Sequence, residues 1–431
     1  MNRLVGRYFE FISQIFSKNK FLGFGFFLTL AQVISGAFGY LFQILIGRML
    51  SPGDFAIFSS LMASFMFLGA PMVAVSMIIV RKVSSFKANE ALFLVKPFLF
   101  KLYKILIVVS IATLILFWLV DASLRELLRI PNTTTLFLFE MILIFSLFNT
   151  ANNSIFQGLQ KFIFMAVIGL ISILLKIILS AGLISFGLAL NGALLGTLLS
   201  IGIIVLVSTS ILLPKLPNHV NMVRHQIDIS SISKIYPVLA ATIAAAAMTQ
   251  LDMVLVNWYF SPKDAGLYAA ASVLGKAILY LPGGLIIALF PMVAELHTKG
   301  KSGIKIFQQA ILVTLFFCGS ISIFYWIFGD SIINFFYGPN YYGAGEILRW
   351  YGFAILPMAI VIISEQYLIA KGQVVFAWIF LAIAPLQILA IYIWHTELWM
   401  ILVSMGIFGS LLALIGILFM HYSGKLKVSS L

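Results

Sequence analysis

Apolar positions in this chain neither alternate nor gather on one helical face; they run in long unbroken stretches that stop at short clusters of Pro, Gly and charged residues. A helix needs about 20 residues to cross the hydrocarbon of a bilayer. Twelve stretches meet that length, at 21–47, 55–80, 98–120, 133–157, 162–186, 188–213, 235–258, 266–293, 304–328, 346–370, 373–394 and 398–421. Transmembrane strands would be about 10 residues long and alternate in polarity, which these runs do not. The pattern predicts an all-α integral membrane protein with twelve transmembrane helices.

Composition sharpens this reading. Of 431 residues 62% are hydrophobic and 10% charged, which leaves little chain for a soluble catalytic domain. The single cysteine, Cys318, excludes an intrachain disulfide framework. The net charge of +13 would suggest nucleic acid in a soluble protein, but here its placement follows topology. With the N-terminus cytoplasmic, 20 of the 27 Lys and Arg fall on inner segments or inner span ends, five (Arg48, Arg125, Arg129, Lys263 and Arg349) on outer segments or outer span ends, and Lys176 and Lys276 deep inside spans. Basic residues concentrate on the cytoplasmic side of membrane proteins. Both termini are therefore expected in the cytoplasm, and the basic excess is expected to face anionic membrane lipid, not nucleic acid.

Residues 1–20 are not expected to be a cleavable signal, because Arg7, Glu10 and Lys18 interrupt any apolar core. Leu4, Tyr8, Ile12, Ile15 and Phe16 fall at helical spacing, which predicts a cytoplasmic interfacial helix. The expected organisation is that helix at 1–20, an N-terminal six-helix bundle at 21–213, a cytoplasmic linker at 214–234, a C-terminal six-helix bundle at 235–421 and a cytoplasmic tail at 422–431.

The halves are self-similar at an offset of about 210 residues. Leu50-Ser51-Pro52-Gly53-Asp54-Phe55-Ala56-Ile57-Phe58 aligns with Phe260-Ser261-Pro262-Lys263-Asp264-Ala265-Gly266-Leu267-Tyr268, each joining the first two spans of its half. Pro71 meets Pro282, and Gln157 to Lys161 meets Leu368 to Gly372, in nearly the same register. Six spans per half is an even number, so the repeats are parallel. That arrangement is common in transporters, with the substrate path between two bundles that rock against each other.

Over essentially its whole length the chain resembles the polysaccharide transporter family, the O-antigen and capsular-oligosaccharide flippases of the multidrug, oligosaccharidyl-lipid and polysaccharide exporter superfamily. The resemblance rests on the loop Leu50 to Phe58 and above all on Leu251-Asp252-Met253-Val254-Leu255-Val256 continuing through Asn257 to Ala270, where an aspartate in span 7 precedes a Gly-x-Tyr-x-Ala start to span 8. It implies movement of an undecaprenyl-pyrophosphate-linked oligosaccharide from the inner to the outer leaflet of a bacterial plasma membrane, where polysaccharide polymerases and glycosyltransferases would be partners. It does not name the sugar or the polymer, lipopolysaccharide or capsule.

Ionisable groups inside the membrane cost about 2.5–3.5 kcal/mol each on insertion scales, so those that persist face a cavity or a partner. Lys176 and Lys276, one in each half, are candidate contacts to the pyrophosphate, with a snorkelling or paired structural role as the alternative. Arg48 and Arg349, at outer span ends, are candidates for receiving the headgroup or for anchoring at the interface. Asn149, Asn153 and Gln157 belong, with Ser146 and Thr150, to one polar stripe on span 4 that could line a sugar path or bond a neighbouring helix; Gln32 in span 1 is a further candidate. Asp252, Glu140 and Glu365 are candidates for coupling to a proton or sodium gradient. Gly192, Gly196 and Ser200 read as a helix-packing face.

Two other functions compete. A multidrug exporter of the same superfamily would favour an acidic cavity, against which stand the two mid-span lysines and the lack of an acidic residue in span 1. A glycosyltransferase or polymerase would need a long outer loop or paired acids in the first outer loop, which holds Asp54 alone. No nucleotide-binding loop, histidine metal cluster or nucleophile elbow is present in the sequence. The expectation is a transporter, not an enzyme, with no catalytic residues, cofactor or metal.

Overall fold

The computed structural model describes residues 20–215, 236–280, 292–293, 296 and 303–423, with side chains described from 34 to 213 in the first of these segments and to 420 in the last. The order of long helices is α1 (Lys20–Met49), α2 (Pro52–Ala88), α3 (Val95–Leu119), the short α4 (Asp121–Leu128), α5 (Thr133–Gly158), α6 (Phe162–Leu183), α7 (Ala189–Lys215), α8 (Tyr236–Tyr259), α9 (Pro262–Lys276), α10 (Ile304–Tyr337), α11 (Ala344–Ala370), α12 (Val375–Ile393) and α13 (Leu398–Ser423). Each predicted span overlaps one of these helices, the eighth over its described part, but α2 runs on to Ala88 and α10 to Tyr337, beyond the predicted ends at 80 and 328. Among the described residues, nine helical stretches are long and apolar enough to cross a membrane, one of them, Phe162–Leu213, holding both α6 and α7. In hydrocarbon a chain must satisfy its own N–H and C=O groups, and a helix does so within one segment. The protein is a multi-pass membrane protein with an all-helical fold among its described residues. The interfacial helix at 1–20, nearly all of the 214–234 linker, most of the tail and Pro282 lie outside the described residues.

Pro71, Pro357 and Pro385 sit inside α2, α11 and α12 without ending them. What does end helices is local chemistry. Asn132 caps α5, its Oδ1 accepting from the N–H of Thr135 at 2.9 Å and from the Thr135 hydroxyl at 2.7 Å. Between α6 and α7 the chain turns at Gly187 with φ 87°, a left-handed conformation that only glycine adopts without strain.

The described residues pack as two compact units. One takes those within Met1–Gln43, Ser76–Leu116 and Glu140–Val223, the other those within Ile44–Val75, Phe117–Phe139 and Arg224–Leu431.

In the first unit α6 lies along α7. A Cβ at Gly196 would strike the backbone of Ser180, and one at Gly192 would come 2.9 Å from the backbone of Leu183 and Ile184. The small residues there are the packing face that their four-residue spacing predicts. A buried polar knot ties three helices together: Tyr103 of α3 donates to Asn152 Oδ1 of α5 at 2.5 Å, and the Asn152 amide donates to Ser208 at 2.8 Å and Thr209 at 3.0 Å on α7.

The second unit is built on α11, which packs against α10 and α13, while α8 packs along α12. A Cβ at Gly345 would strike Asp330, and Ser322 donates to Gly352 O at 2.9 Å, so α10 and α11 approach backbone to backbone.

Candidate functional site

A buried polar cluster of the second unit is centred on Asp252 of α8. Its Oδ1 accepts from Lys276 Nζ at 3.0 Å, and its Oδ2 accepts from the hydroxyls of Tyr268 and Tyr351, each at 2.9 Å. The carboxylate is fully buried, while the lysine side chain keeps 14% of its surface accessible. Three donors on one carboxylate supply the compensation that a buried charge requires. Two sequence candidates with different expected roles are thereby brought together as one ion pair.

Local sequence explains how the cluster is assembled. Asp252 precedes the end of α8 at Tyr259 and Lys276 closes α9, whose first residue is Pro262, so at about 1.5 Å per residue the backbones sit about 10 and 21 Å from the turn. Helical side chains tilt toward their own N-terminus, which carries Asp252 away from the turn and Lys276 back toward it. The two meet in between. Tyr268 lies on α9 itself, and Tyr351 arrives from α11 because Gly275 leaves room: a Cβ there would strike the Tyr351 ring. The rings of Tyr268 and Tyr351 meet edge to face at 5.7 Å.

Both tyrosines escaped the sequence reading as site residues. Tyr268 had a signal in the Gly-x-Tyr-x-Ala pattern. Tyr351 had none, since it lies 99 residues from the aspartate it bonds. Thr242 and Thr249, on the same helix as Asp252, donate to their own backbone at Val238 and Ala245 instead.

Lys176 is placed differently. It lies midway along α6, half-buried, with Nζ 4.2 Å from the centroid of the Phe42 ring of α1. Among the described residues no carboxylate lies within ion-pair distance of it. A cation over one aromatic face gains about 0.5–2 kcal/mol, less than the about 2.5–3.5 kcal/mol an ammonium costs at bilayer depth. The site is short of negative charge.

The span 4 stripe is on an accessible side of α5: Asn149 and Asn153 are half-buried, with the Asn153 amide donating to Asn149 Oδ1 at 3.4 Å, and Gln157 is exposed. Their neighbours Asn152 and Ser154 point into the packing, Ser154 bonding Ser76 at 2.7 Å. Gln32 lies on α1 outside the residues whose side chains are described. Glu140 is buried on α5, and its Oε1 has no hydrogen-bond partner among the described residues. Glu365 is buried on α11. Arg48 is exposed, and Arg349 is engaged with Asp330.

Comparisons with known proteins agree with this architecture. The family model described as polysaccharide biosynthesis protein matches residues 24–297. Among solved structures, an inward-facing multidrug resistance MATE family transporter of the MOP superfamily superposes with a TM-score of 0.76 at 15% identity, over 92% of this chain and 96% of that one. The lipid II flippase MurJ in an inward closed conformation gives 0.69 at 17% identity, over 93% and 87%. An outward-facing MATE family transporter gives 0.63 at 16% identity, over 93% and 95%. A comparison with curated proteins finds no match. At these identities the structural likenesses establish the fold.

Proposed function

Because this chain belongs to the polysaccharide biosynthesis protein family, on a fold shared with MOP-superfamily transporters, we propose that it carries a pyrophosphate-linked oligosaccharide lipid from the inner to the outer leaflet of a bacterial plasma membrane. The observation that carries the reading is Lys176, a membrane-buried cation with an aromatic ring beneath it and no carboxylate beside it among the described residues. An anionic headgroup supplies the missing charge, and in a site of low dielectric the contact is strong. Asn149, Asn153 and Gln157 offer amides to sugar hydroxyls.

In this reading the headgroup enters between the two six-helix halves while the lipid tail stays in the bilayer, and the halves rock to release it outside. Lys276 takes a secondary part. A phosphate that reaches it competes with Asp252, and Asp252 keeps its two tyrosine donors when the lysine is shared. Net transport requires unequal affinity in the two states, sustained by an ion gradient or by consumption of the product outside. Glu140, with an unpartnered buried oxygen, and Glu365 are the groups proposed for coupling.

The Glu140 oxygen also favours a second reading, export of an organic cation. One binding experiment separates the two. Purified protein is titrated with an undecaprenyl-pyrophosphate oligosaccharide and, separately, with a cationic dye. We expect the lipid to bind and its affinity to fall at least tenfold in Lys176→Gln; dye binding that is lost in Glu140→Gln, with no response to the lipid, would favour the exporter.

A further inference from the structure

The second unit also holds a cavity of about 1010 Å³, walled by the first turns of α9, α11 and α13. Under the orientation expected from the basic residues, all three helices start at the outer surface, which sets the cavity at the depth of the outer leaflet. Glu346, Trp350 and Phe353 recur at i, i+4 and i+7 along α11, and Trp399, Leu402 and Gly406 at i, i+3 and i+7 along α13, so each helix turns one face to the cavity. At about 1.5 Å per residue these faces run about 10 Å inward. They meet at the inner end, where a Cβ on Gly406 would lie 3.8 Å from Ala354 Cα. The shape is an apolar slot, and Trp350, Phe353 and Trp399 are exposed along it.

The rim has the opposite chemistry. Asp264 and Glu346 stand in the first turns of α9 and α11, and Glu397 directly precedes α13. An acid at a helix start complements the helix dipole, which accounts for one at each helix. It does not account for the missing cations. In a chain of net charge +13, among the described residues no Lys or Arg lines the cavity or lies within ion-pair distance of these three carboxylates. Asp264 accepts from the Ser261 hydroxyl and Glu397 from the Trp399 indole, both neutral donors, and Glu346 is exposed. The start of α11 is also uncapped: Gly343, which lines the cavity, has no side chain to accept from the first N–H groups of the helix, and these remain donors.

Carboxylates suit a cation, free N–H groups at a helix start suit a phosphate, and the slot beneath them suits a hydrocarbon chain. Together they match a zwitterionic lipid. A primary ammonium brings three N–H donors to carboxylates, whereas a quaternary one brings none. Small-molecule sites measure about 300–1,000 Å³, so this cavity has room for a headgroup and the upper part of one chain.

We propose that the cavity between the starts of α9, α11 and α13 binds an outer-leaflet phospholipid with a primary ammonium headgroup, the ammonium on Glu346 and Glu397, the phosphate at the start of α11 and the chain between Trp350 and Trp399. The site lies apart from Lys176 and does not depend on the transport reading.

The test titrates the purified full chain in detergent with phosphatidylethanolamine, phosphatidylcholine and phosphatidylglycerol of identical acyl chains and counts bound lipid by native mass spectrometry. Phosphatidylethanolamine is expected to bind at least tenfold more tightly than either of the others, and the double variant Glu346→Gln with Glu397→Gln, at two exposed side chains, is expected to lose that preference. Val403→Trp, at an exposed position on the slot wall, fills the space for the chain and is expected to weaken phosphatidylethanolamine at least tenfold with an unchanged melting temperature. Equal affinity of wild type for the three lipids, or a preference that survives in the double variant, overturns the proposal. Phosphatidylcholine bound as tightly as phosphatidylethanolamine also overturns it, since the site would then select positive charge without N–H donors.

Discussion

Asp252 brings a charge into the protein interior and satisfies it with three donors. Asp252→Asn would leave the Lys276 ammonium without its counter-charge. Breaking one side of a buried pair costs about 3–5 kcal/mol, whereas replacing both sides with apolar groups is often neutral. We therefore expect Asp252→Asn to lower the thermal unfolding midpoint of the purified protein markedly, and Asp252→Asn with Lys276→Met to recover part of the loss, because the amide carbonyl oxygen still accepts from the two tyrosines while the unpaired ammonium is gone. Equal midpoints for Asp252→Asn and wild type would show that the pair does not hold these helices. The sequence discloses both charges because each is expensive in lipid, but the tyrosines that satisfy them look like any other apolar-helix aromatic. Tyr351 in particular becomes a partner only through a glycine on another helix.

At the scale of helices, boundaries were more legible than neighbours, although the ends of α2 at Ala88 and α10 at Tyr337 lie well beyond the predicted ones. Apolar runs and Pro/Gly punctuation set the ends of α5 through α8 to within a few residues, since both signals act locally. The short α4, Asp121–Leu128, fell unnoticed in a predicted outer loop because eight residues with alternating charge carry too little apolar signal. Which helix lies against which depends on surfaces all equally apolar, except where small residues mark close approach. Gly196 is such a mark, as a Cβ there would strike Ser180. Gly196→Leu should separate α6 from α7, with a cost of at least about 1–3 kcal/mol for forcing bulk into packed space. Its signature would be a drop in the monodisperse fraction on size-exclusion chromatography; an unchanged profile and melting temperature would mean that the helices close by another route.

For the molecule as a whole, the duplicated hairpins were the most informative stretch of sequence. Ser51 and Ser261 cap their helices in the same way, so the aligned residues share a local construction. The family followed from that region and from the span 7 aspartate. The candidate site was only half legible. Lys176 and Lys276 look equivalent as mid-span lysines, yet the structure gives one a carboxylate and the other an aromatic ring. That difference depends on what the neighbouring helices present at the same depth, which a linear pattern does not contain, and it singles out Lys176 as the proposed headgroup contact.

The decisive measurement is transfer of two fluorescent lipids across liposomes containing the purified protein, one joined to its oligosaccharide through pyrophosphate and one through an uncharged linker, scored by a membrane-impermeant quencher for wild type and Lys176→Gln. The account predicts that wild type moves the pyrophosphate lipid at least tenfold faster than the uncharged one, and that Lys176→Gln removes this preference while remaining folded. Equal transfer of both lipids by wild type, or a preference that survives in Lys176→Gln, would contradict it.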